Sequence, residues 1–149
     1  MIVALQPEQV SIFWDAIKST FLKTNPCPVG MDEIDYTNKL LEKLLSMEYV
    51  AWIVFKYNDK GEKVVHAIGI TVIKKDFLTE MQTLHIISLY GFRFLETDLA
   101  RTSWGEFIKY ANNCNCDKIR MESNVKRVFD LAKLVGFVKK SEVWEYTRR

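Results

Sequence analysis

The spacing of apolar residues along this chain changes period more than once, and each change marks an element. Ile2 to Leu5 is a short apolar run that predicts a first strand. Pro7 follows, a residue suited to the first turn of a helix. Val10, Phe13, Trp14, Ile17 and Phe21 then recur at spacings of three and four, which places them on one helix face. The segment NPCPVG, residues 25–30, ends that helix. A second helix is predicted from about Asp32 to Ser46, with Ile34, Leu40, Leu41, Leu44 and Leu45 as its apolar stripe. Tyr49 to Tyr57 (YVAWIVFKY) is rich in β-branched and aromatic residues and reads as a strand. NDKGEK has turn composition, and Val64 to Ile73 (VVHAIGITVI) is a second strand, so the two predict an antiparallel hairpin. Gly69 inside that strand predicts a bulge or a close approach. After the connection KKDFLTEMQ, Thr83 to Tyr90 reads as another strand.

The helical period returns from about Asp98 to Asn112, with Leu99, Trp104, Phe107, Ile108 and Ala111 as the buried face. Lys118 to Ser123 (KIRMES) predicts a strand. Val125, Val128, Phe129 and Ala132 give a last helical stripe, closed by Gly136 as a C-terminal cap. Phe137 to Thr147 supplies one or two final strands. Three consecutive strands suggest an antiparallel half, and the later strand–helix–strand step a parallel crossover. The expected architecture is α/β (α+β): a mixed, mostly antiparallel sheet with helices on both faces, in a single domain over residues 1–149.

Composition narrows the function classes. A chain of 149 residues with 48% apolar and 13% aromatic residues suits one packed domain. A net charge of +2 with dispersed Lys and Arg gives no bulk argument for nucleic acid. No stretch reaches the roughly 18 apolar residues of a membrane helix. The start, MIVALQPEQVSIFW, lacks a charged segment followed by an apolar block, so a cytoplasmic protein is expected. Cys27, Cys114 and Cys116 are odd in number and read as reduced thiols. NCNC has neither Cys-x-x-Cys spacing nor a second pair, so no metal site is expected. Asp32, Glu33 and Asp35 fall in a first helical turn, where acids complement the helix dipole; recognition of a cationic substrate is the alternative. Trp104 and Trp144 read as packing residues.

The chemistry concentrates in LHIISLYGFRFLETDLARTSWGEFIKYA, residues 84–111. A strand, a loop and a helix start in that order is a place where α/β proteins hold phosphate on free backbone N–H groups. Such loops usually carry glycines, and this one has none between Phe92 and Trp104. The element order, this loop and the ending SNVKRVFDLAKLVGF together resemble the GNAT superfamily, the Gcn5-related N-acetyltransferases. In that family the turn reads Gln/Arg-x-x-Gly-x-Gly/Ala, and the last helix reads Asn-x-x-Ala-x-x-x-Tyr and ends in Gly-Phe. Asn124, Leu131, Gly136 and Phe137 match the second pattern loosely.

The resemblance implies an acyl-CoA-dependent N-acyltransferase, with acetyl-CoA or CoA as cofactor and a small-molecule or protein amine as acceptor. It implies cofactor contacts from Leu89 and Tyr90 on the strand, from Asp98, Leu99, Ala100, Arg101 and Thr102 at the turn, and from Asn124. Glu122, His85, Tyr90 and Ser88 are then the candidates for proton transfer. The sequence also departs from the pattern. Asp98 and Ala100 occupy the glycine slots, and Leu95 the charged slot, with Arg93 or Arg101 as nearby substitutes. Ala132 stands where the tyrosine would be. These losses define a second expectation, a non-catalytic GNAT-fold protein that binds a protein partner. A distant likeness to small virion proteins of short-tailed bacteriophages places that alternative in a virion.

Overall fold

The computed structural model describes every residue except Phe94, Asn124 and Arg149. The elements run β1 (Ile2–Ala4), α1 (Pro7–Thr24), α2 (Glu33–Leu45), β2 (Tyr49–Tyr57), β3 (Lys63–Lys75), β4 (Gln82–Gly91), α3 (Thr97–Asn113), β5 (Lys118–Met121) and α4 (Lys126–Leu134). The strands form one five-stranded sheet in the order β1-β2-β3-β4-β5. The first three pairings are antiparallel, and β4 pairs with β5 in parallel through the α3 crossover.

Alternation along β2 and β3 feeds two cores. Ala51, Ile53, Phe55, Ile68 and Ile70 face α1 and α2, where they meet Val10, Ile17, Phe21, Leu40 and Leu44. Val50, Trp52, Val54 and Ala67 face the other way, toward Leu99 and Phe107 of α3. The mixed, mostly antiparallel sheet with helices on both faces is therefore the architecture found. Trp52 anchors the second core. Its ring packs edge-on against Phe107 and Tyr110, and its Nε1 donates to Thr71 Oγ1 at 2.9 Å. Burial and the neighbouring Cys114 push the Tyr110 hydroxyl up to about 12.

Helix ends follow local chemistry. Asp32 caps α2, its Oδ1 accepting from the amides of Ile34 at 2.8 Å and Asp35 at 3.1 Å. Gly136 ends α4 in the left-handed region at φ 95°, with Phe137 N–H donating back to the Ala132 carbonyl. No helix of the described residues is long and apolar enough to cross a membrane.

Several expectations need correction; Ile34, Leu45 and Ile108, expected on buried faces, are exposed. Residues 137–148 form no strand; beyond Phe137 their apolar side chains Val138, Val143, Trp144 and Tyr146 are exposed. Trp144 is thus not a packing residue, whereas Trp104 stacks on Phe137 at 4.4 Å. Gly69 sits in regular pairing opposite Trp52 and Leu89, and a Cβ there would meet only ordinary contacts. The irregularities fall at His66 and Ile87 instead, each an extra residue against a continuous partner strand.

Candidate active site

The extra residue at Ile87 decides the geometry of the sheet's open end. Ile70 pairs with Ser88 and Thr71 with Ile86, so Ile87 has no opposite number and β4 bends there. The pairing of β4 with β5 stops one residue earlier, at Ile86 with Met121. Beyond it β4 continues to Gly91 while β5 has ended. The two strands therefore part in a fork, and the edge of β4 from Ile87 to Gly91 has no β5 partner among the described residues.

The end of α1 braces the fork from one face. Thr24 Oγ1 lies 2.6 Å from Ser88 Oγ, and Asn25 Nδ2 donates to the Ile87 carbonyl at 3.0 Å. Lys23 Nζ donates to the Tyr90 hydroxyl at 3.3 Å, and the Tyr90 ring packs edge-on against Phe92. Ser88 is buried at 4% exposure with its hydroxyl in contact with Thr24. Tyr90 is half-buried beside the fork, and Leu89 faces the opposite side with Gly69. Glu122 is exposed immediately after β5. His85 lies below the fork, where β4 is still paired to Val72 on one side and Arg120 on the other. Burial first, then Lys74 and Arg120, lowers the His85 pKa, with Glu122 opposing. Asn124, the last of the expected contacts, lies outside the described residues.

The α3 start follows the loop that leaves β4, and the Glu96–Lys56 pair ties it to β2. Glu96 is its N-cap residue, with extended backbone and no side-chain capping bond. Intrahelical bonding begins with Ala100 N–H to the Glu96 carbonyl at 2.9 Å. The amides of Thr97, Asp98 and Leu99 have no hydrogen-bond partner among the described residues, as the first turn of a helix requires. The open donors thus lie at 97–99, slightly earlier than the stretch 98–102 that the glycine pattern marks. The amides of Arg101 and Thr102 lie inside the helix, and the Thr102 hydroxyl donates to the Asp98 carbonyl at 2.8 Å. The Leu99 side chain is buried in the α3 core.

Charge at this helix start is mixed. Glu96 pairs with Lys56 at 2.7 Å, and that hydrogen bond holds its carboxyl below the usual range. Asp98 is exposed in the first turn. Against them, Lys56, His66 and Arg93 line a cavity of about 210 Å³. His66 Nδ1 is buried there without a partner among the described residues. Lys23, Thr24, Asn25, Lys56 and Glu96 escaped the sequence analysis because their partners lie far away in the chain. No local pattern marks such pairs.

Comparison with solved structures bears on the fold. The sequence matches no family model and no curated protein sequence. Its fold is shared with solved acetyltransferases over essentially the whole chain. A predicted acetyltransferase from Clostridium acetobutylicum, solved with acetyl-CoA, is 15% identical at a TM-score of 0.69, covering 99% of this chain and 95% of that one. An aminoglycoside 6'-N-acetyltransferase from Acinetobacter baumannii is 10% identical at 0.67, covering 100% and 97%. Glucosamine-6-phosphate N-acetyltransferase from Arabidopsis thaliana is 15% identical at 0.61, covering 99% and 98%.

Proposed function

We propose that the chain is a divergent GNAT N-acyltransferase that moves an acyl group from acyl-CoA to a small-molecule amine. The observation that carries this reading is the fork: an unpaired β4 edge at Ile87–Gly91, followed along the chain by a helix start with open amides at Thr97, Asp98 and Leu99. An open strand edge can hydrogen-bond an extended amide chain as an added strand, and a helix start can hold phosphate. The residues present fit the group. Lys56 offsets Glu96 at the helix start, and Arg93 lines the same cavity as Lys56. Bound acyl-CoA supplies a thioester-activated acyl group. Leu89 and Tyr90 offer it main-chain contacts. The Glu122 carboxylate takes the proton of the attacking amine. The Tyr90 hydroxyl, oriented by Lys23, returns a proton to the leaving sulfur. Asp32 is committed to capping α2, which leaves Glu33 and Asp35 as the exposed acids of that turn for a cationic acceptor.

A second reading is a GNAT-fold scaffold without catalysis, such as a virion component with a protein partner. Glu96 and Asp98 at the α3 start favour it, since both place negative charge where phosphate would sit. Calorimetric titration with acetyl-CoA, and with desulfo-CoA as companion ligand, separates the two. Micromolar binding that Ala100→Glu weakens supports the transferase, and an amine screen then follows. No heat at millimolar ligand overturns it in favour of the scaffold.

A further inference from the structure

The opposite end of β4 carries a second chemical feature. Across β3, β4 and β5, Lys74, Thr83 and Lys118 form one register row, and Val72, His85 and Arg120 the next. Directly opposed residues in a sheet share a face, so Lys74, Lys118 and Arg120 rise from one surface around Thr83 and His85. Adjacent strands are roughly 4.8 Å apart, which sets the Lys74 and Lys118 backbones about 10 Å apart with the Thr83 position between them. That face is the one α1 contacts at Ile87, Ser88 and Tyr90; in the rows below, Val72 and Thr83 are buried while Lys74, Lys118 and Arg120 are exposed. The result is a cavity of about 280 Å³ lined by Lys74, Lys75, Lys118 and Arg120, with Thr83 and His85 at its floor.

The charge here is unbalanced. Among the described residues none of the four cations is ion-paired. Asp76 is the one carboxylate in the lining among the described residues; its Oδ1 is taken by the amides of Leu78 and Thr79 and by the Thr79 hydroxyl, and it offsets only part of the charge, through Lys118. Four cations gathered in one hollow of a chain with net charge of only +2 is a local concentration, not a general basicity. Like charges at this spacing repel, and a bound polyanion relieves that repulsion. A continuous nucleic acid would need a basic track beyond this hollow, whereas a short chain of phosphoryl groups fits within it.

We propose that this hollow is a binding site for the polyphosphate group of a small molecule, separate from the fork at the other end of β4. Lys74 and Lys118 flank the anion and Arg120 offers it a guanidinium fork. The site does not depend on catalysis at the fork.

Sodium tripolyphosphate is the probe, titrated calorimetrically into the full chain at low salt. Saturable micromolar binding is expected. The double substitution Lys118→Gln, Arg120→Gln should weaken it about ten-fold or more. Both residues are exposed, and an unchanged circular dichroism spectrum shows that the variant is folded. Lys60→Gln, in the β2–β3 turn, should leave affinity unchanged. Absence of saturable binding overturns the proposal. So does a double variant that binds as tightly as the parent, or a Lys60→Gln loss equal to that of the double variant.

Discussion

Thr24 Oγ1, in the last turn of α1, lies 2.6 Å from Ser88 Oγ, one residue past the bulge of β4. Thr24 also spends its proton on the carbonyls of Phe21 and Thr20, which leaves Ser88 as donor of the pair. The contact ties a helix end to the strand at the point where the sheet opens. Ser88→Ala and Thr24→Val should each destabilise by about 1 kcal/mol in urea unfolding. The double variant should lose less than the sum, since both remove one shared interaction. Acetyl-CoA affinity should survive Ser88→Ala. A large loss of turnover with stability intact would instead make Ser88 part of the chemistry.

At the α3 start, the balance between Glu96 and Asp98 on one side and Lys56 on the other sets how well the open amides receive an anion. A charge beside a helix terminus is worth about 0.3–1 kcal/mol at an exposed position. Asp98→Asn should therefore raise acetyl-CoA affinity about two- to five-fold, and Lys56→Gln should lower it. Calorimetry on the two variants checks both directions. Weaker binding by Asp98→Asn would show that phosphate is not held at this helix start.

The Trp52 indole N–H has a single buried partner in Thr71. Thr71→Val keeps the shape and removes the acceptor, leaving a buried donor unsatisfied. The expected cost is about 1–3 kcal/mol in the free energy of urea unfolding, and Thr71→Ser should recover most of it. If Thr71→Val costs nothing, the indole has found another acceptor.

The sequence exposed what depends on neighbours in the chain and hid what depends on partners far along it. YVAWIVFKY from Tyr49 to Tyr57 was legible to the residue because β-branched and aromatic residues crowd both faces of a buried strand. Gly136 was legible because capping is local, whereas Asp32, read as part of the first turn, is the N-cap just outside it. The fork was not. Its bulge at Ile87 follows from the register of β3 against β4, and IIS carries no glycine to mark it. The contacts of Lys23, Thr24 and Asn25 join residues more than sixty positions apart. VWEY near the end has strand-like alternation, yet it forms no strand, because pattern alone does not supply a surface to bury against.

The His85 imidazole offers a test of the unbalanced charge at the lower end of β4. Burial, Lys74, Arg120 and Lys118 all disfavour its protonated form, and Glu122 alone opposes them. Its folded pKa therefore lies below the ordinary value of 6.5. The unfolded chain binds the proton more readily, so stability rises with pH between the folded and unfolded values. The contribution is complete above 6.5 and is lost as pH falls toward the folded value. Carboxylates elsewhere give a trend of the same sign, so the parent must be compared with His85→Gln. The difference in urea midpoint between the two should shrink, or turn in favour of the variant, as pH drops below 6.5. A constant difference across that range would mean that His85 titrates alike in both states, and that the surrounding cations do not act on it.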